Sequence, residues 1–75
     1  MATVWGLLQR KQAGLLDRRD VSGVSDIDLL SLAAEARDFS TRDAVLATLP
    51  YNVPTLTLSR QLREIASALE AWASE

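Results

Sequence analysis

The side chains able to do chemistry are few and scattered. Two carboxylate pairs stand close in sequence, Asp17 with Asp20 and Asp26 with Asp28. Acid–base work by such a pair needs surroundings that hold its two members in different protonation states. Asp26 and Asp28 instead follow Ser25 at the expected start of a helix, where negative charge meets the positive end of the helix dipole. Asp17 and Asp20 bracket Arg18 and Arg19, as on a solvated charged surface. Serine and threonine hydroxyls are present, but the chain has neither a histidine to activate one nor a cysteine to act as nucleophile. Lys11, the single lysine, lies beside Arg10 in a polar stretch that favours a solvated ammonium over a nucleophilic amine.

Metal and cofactor chemistry meet the same shortage. Without imidazole or thiolate, only carboxylates and carbonyls remain as ligands, and no spacing matches a calcium loop. The glycines, Gly6, Gly14 and Gly23, lie apart and form no phosphate-cradling loop. The expectation is a non-enzyme with no cofactor and no metal.

Nucleic-acid recognition has a better claim. A helix ending before Arg37-Asp38-Phe39 and another beginning after Ser40 would form a helix-turn-helix. Thr41 and Arg42 would then face a groove, with Arg37, Arg60 and Arg63 available to phosphates. Against this, Asp38 and Asp43 flank the reading surface, the turn has no glycine, and the chain carries a net charge of −2 with a pI near 5.0. A small helix-turn-helix transcriptional regulator is therefore the alternative reading.

Four segments carry helical periodicity. The first is predicted from about Thr3 to Leu16, with Val4, Leu7, Leu8 and Leu15 on one face, Trp5 and Leu16 beside it, and Gly14 weakening its end. Asp17 to Val24 reads as a connection, with Ser22-Gly23 as a turn. The second helix starts after Ser25. Its two stripes, Ile27-Leu30-Ala34 and Leu29-Ala33-Ala36, predict burial on more than one side. A third helix, from after Ser40 to Leu49, places Val45, Leu46 and Leu49 together and stops at Pro50. Residues 50–54 form a stiff loop, and Thr55-Leu56-Thr57-Leu58 reads as an extended approach ending in a Thr57 cap. The last helix, Leu58 to Ser74, has the strongest signal: Leu58, Leu62, Ile65, Leu69 and Trp72 step by four and three along one stripe.

The expected architecture is all-α: a small bundle of about four helices with a long C-terminal amphipathic helix, residues 1–75 forming one domain. Hydrophobic residues make up 48% and charged residues 24%, an ordinary globular balance. No apolar run reaches the roughly 20 residues of a membrane span, and the first residues lack a secretory signal, so the expected location is cytoplasmic with no membrane partner. The arginine bias and the abundance of alanine and leucine suggest a GC-rich genome. Amphipathic Val4 to Leu8 beside Arg10 and Lys11 has too little positive charge for a membrane-surface helix. The expected function is protein–protein association by a small adaptor, inhibitor or assembly factor of bacterial or phage type, or a homo-oligomer formed through the last helix. Trp5, Leu62, Ile65, Leu69 and Trp72 are the interface candidates, with Arg60, Arg63 and Glu70 as a polar rim.

Overall fold

The computed structural model describes residues 3–41 and 55–75. Among them it contains three α-helices, α1 (Val4–Gln12), α2 (Asp26–Phe39) and α3 (Thr55–Ala73), with a 3₁₀ turn at Arg18–Val21 and no strand. The helical fold class stands. The helix expected after Ser40 and the Pro50–Pro54 loop lie outside the described residues.

Each boundary has a local cause. Thr3 caps α1, its hydroxyl accepting from the Gly6 N–H at 3.1 Å. The helix then stops earlier than its periodicity predicts. Gly14 adopts φ +74°, the Leu15 N–H donates back to the Arg10 carbonyl at 2.9 Å, and the Gly14 N–H to that of Lys11 at 3.1 Å. This pair of reversed hydrogen bonds is a Schellman end, which only glycine enters without strain. Gly14 thus terminates the helix rather than weakening it, and Leu15, expected on its apolar face, is 57% exposed in the following loop.

The expected connection after it is ordered. Asp17 caps the 3₁₀ turn, and the Asp20 carboxylate accepts from the Asp17 N–H at 2.9 Å. Val21, which directly follows the charged run Asp17 to Asp20, points into the core and is fully buried. Gly23, at φ +84°, turns the chain toward α2. There the Ser25 hydroxyl accepts from the Asp28 N–H at 3.2 Å, the cap expected from sequence.

Two further boundaries correct the sequence reading. Helix α2 runs through Arg37, Asp38 and Phe39 to a cap at Ser40, so the turn placed at those three residues is helical. Helix α3 begins at Thr55, so Thr57 lies inside it rather than capping it. The alternation that suggested extended chain arises because Leu56 faces solvent while Leu58, half a turn on, is buried.

Among the described residues the core is one contiguous cluster. Helix α3 contributes Leu58, Leu62, Ile65, Ala66 and Leu69, and α2 contributes Leu29, Ala33 and Ala36, all without exposed surface. The α2–α3 packing dominates, and the buried alanines permit close approach of the two backbones. Helix α1 lays Val4, Leu7 and Leu8 against this cluster, more on α3 than on α2. Leu16, Val24, Leu32, Phe39 and Trp72 close its edges. Leu69→Ala is expected to cost roughly 2–5 kcal/mol, the range for emptying a fully buried leucine site. Urea unfolding followed by circular dichroism measures it, and a near-neutral result would mean that the stripe is misplaced.

Candidate functional site

The interface candidates do not form a surface. Leu62, Ile65 and Leu69 have no exposed area in the single chain. The four-and-three spacing that made α3 look adhesive is the spacing of a helix seated on α2 and α1, and these three residues are core. Trp72 is partly buried against the same cluster. Trp5 packs on Phe39, ring centroids 5.1 Å apart and planes tilted by 34°, and keeps 37% of its surface open. This ring pair ties the first turn of α1 to the last turn of α2.

The residues assigned to a polar rim or to phosphates are largely engaged in ion pairs. The Arg37 guanidinium donates to both Glu70 carboxylate oxygens, at 3.1 and 2.6 Å. This bidentate pair bridges the C-terminal parts of α2 and α3. Lys11 Nζ stands 2.8 Å from Glu64, whose carboxylate also receives Arg60 at 3.7 Å across one turn of α3. Gln12 donates to Gln61 at 3.3 Å beside them. Arg63 is exposed and joins no ion pair among the described residues. Thr41 is exposed just beyond the α2 cap, and Arg42 lies outside the described residues. Arg37 and Arg60 therefore each face a carboxylate that would compete with phosphate, and the structure gathers no basic patch from the residues it describes.

The charged turn is likewise a set of specific contacts. Arg10 meets Asp20 at 3.1 Å, Arg19 meets Asp17 at 2.9 Å, and Arg18 reaches Glu75 at 3.4 Å. The Asp20 side chain is only 17% exposed, which makes Arg10–Asp20 the most sheltered of these contacts. Sequence reasoning treated this run as solvated surface. The signal available was Asp17 and Asp20 at the three-residue spacing of a capping pair.

The surface that the sequence reading missed is the outer side of α2. Leu29, Ala33 and Ala36 are buried as one stripe, but the other stripe is not: Ile27 is 79% and Leu30 51% exposed, and Ala34 is exposed with them. Among the described residues α1 is short and packs more on α3 than on α2, so it does not cover this side of α2. The stripe was visible in the sequence, where it read as a second buried side. Alongside, Asp20, Asp28, Ser31, Val24 and Leu32 line an open cleft of about 740 Å³. Among the described residues no three potential ligands cluster to hold a metal ion, and no helix is long and apolar enough to cross a membrane.

The ion pairs give stability a pH dependence. Hydrogen bonds from Arg37 outweigh desolvation and hold the Glu70 carboxyl below its ordinary value of 4.5. Lys11 does the same for Glu64, and Arg19 for Asp17. A carboxyl depressed on folding binds its proton less readily in the native state. Its contribution is thus present above the unfolded pKa and lost as pH falls through the folded one. The unfolding free energy of the wild-type chain is expected to fall as pH drops below about 4.5, more steeply than that of Glu70→Gln. Urea titrations at stepped pH test this, and parallel curves would show that the Arg37–Glu70 pair does not persist in solution.

Comparison with family models, with curated proteins and with solved structures finds no significant match to this chain.

Proposed function

We propose that the chain is a small non-catalytic protein-binding module whose contact surface is the outer side of α2. One observation carries this reading: Ile27, Leu30 and Ala34 form an exposed apolar stripe on a helix whose opposite side is fully seated in the core. Aliphatic side chains left open at helical spacing are the kind of anchors by which one helix packs on a partner. The contact differs from a homo-oligomer built on α3, since the α3 stripe is already used within the chain. Adaptor, inhibitor and assembly factor remain the roles that such a surface suits. A soluble, non-membrane setting fits it, as does the absence of histidine and cysteine from the whole chain.

A regulator that reads DNA is the competing function, and the two make opposite predictions. Ile27→Glu with Leu30→Glu is expected to change unfolding free energy by no more than about 0.5 kcal/mol, because both side chains are exposed. A photo-cross-linking residue at position 30 is expected to capture another polypeptide in cells of the source organism, with the same residue at exposed Gln9 as control. Equal labelling at the two positions would contradict the reading. Fluorescence anisotropy with duplex DNA at low salt is expected to show no binding. Binding that weakens steeply with added salt would instead favour the regulator.

A further inference from the structure

The charge around the α2 stripe specifies the kind of partner. Helix α2 carries four carboxylates, Asp26, Asp28, Glu35 and Asp38, all exposed and none in an ion pair among the described residues. Its one cation, Arg37, is held by Glu70. Helical spacing fixes where these charges fall. Asp26 lies four residues before Leu30 and Asp38 four after Ala34, so an acid stands at each end of the stripe. Asp28, Ser31 and Glu35 form the neighbouring row, and its first two members also line the open cleft with Asp20. The exposed face of α2 is thus an apolar strip with acids at its ends and along one flank.

Resting on the reading that this face binds protein, we infer that its partner is a basic amphipathic helix. Leucine-like side chains of that helix would cover Ile27, Leu30 and Ala34, and its lysines or arginines would meet the acids. Burying the apolar strip supplies the affinity, and the charges set orientation and partner choice. A second copy of the chain is disfavoured by the same geometry, because two α2 faces brought together oppose carboxylate to carboxylate. Nucleic acids and anionic lipid surfaces are disfavoured by sign alone.

The test titrates the full chain against a fluorescein-labelled amphipathic peptide with leucine on one face and lysine on the other. A matched leucine–glutamate peptide serves as the second probe. The lysine peptide is expected to bind, to bind more weakly as salt rises, and to bind much better than the glutamate peptide. Leu30→Glu is expected to weaken binding about tenfold or more, the effect of losing a central apolar anchor. Glu35→Gln with Asp38→Asn removes charge without touching the strip, and is expected to weaken binding and flatten the salt dependence. Leu56→Ser, on exposed apolar surface of α3, is expected to leave binding unchanged. Equal binding by wild type and Leu30→Glu would overturn the inference, as would equal affinity for the two peptides. Sedimentation of the chain alone separates this failure from that of the broader reading. Self-association abolished by Leu30→Glu, with neither peptide bound, would replace the basic helix by a second copy and leave the α2 face as the binding surface. Absence of both would overturn the inference, and the cross-linking pattern at position 30 would then decide the broader reading.

Discussion

Helix α3 has one apolar stripe and the described residues form one core, and the seating of the first in the second conditions the rest of the fold. Leu58, Leu62, Ile65 and Leu69 are withdrawn from water against Leu29, Ala33 and Ala36 of α2, and α1 closes the cluster with Val4, Leu7 and Leu8. Each fully buried leucine or isoleucine contributes on the order of 1.5–3 kcal/mol of transfer free energy, set against the conformational entropy of ordering the chain. With no disulfide, a chain of 75 residues has little else to draw on. Small residues are part of the same device: Ala33, Ala36 and Ala66 are buried where larger side chains would hold the helices apart.

The polar contacts are arranged around this seam rather than in place of it. Arg37–Glu70 ties α2 to α3, Lys11–Glu64 ties α1 to α3, and Arg18–Glu75 ties the 3₁₀ turn to the chain end. Their side chains remain substantially exposed, so solvent screens them and they add little to stability. Pairing Arg37 and Arg60 with carboxylates also lowers the positive potential available to a phosphate backbone. Among the described residues the acids of α2 join no ion pair, and they make its exposed face acidic.

Much of this was legible in the residues and some was not. The Ser25 cap, the helical class and the α3 stripe follow from hydroxyl placement and apolar periodicity alone. Periodicity cannot say what lies opposite a stripe, which is why Leu62, Ile65 and Leu69 read as interface and are core. The same ambiguity ran the other way at α2, where Ile27 and Leu30 read as buried and are open. Val21 was hidden by its charged neighbours, since a four-residue 3₁₀ turn is too short to show a period. Gly14 was read by its helix propensity, whereas its role depends on a left-handed φ that only the backbone reveals. The strand-like alternation of residues 55–58 shows how four residues fit two periods at once, with Leu56 out and Leu58 in.

The α3 stripe is buried inside one chain, while Ile27 and Leu30 on the outer side of α2 stay exposed. Residue-resolved amide hydrogen exchange, measured across a wide range of protein concentration, tests it most directly. Burial within the chain predicts that amides from Leu62 to Leu69 exchange only through global unfolding, with protection independent of concentration. Protection that rises with concentration would show the stripe to be buried between chains, and would contradict the account.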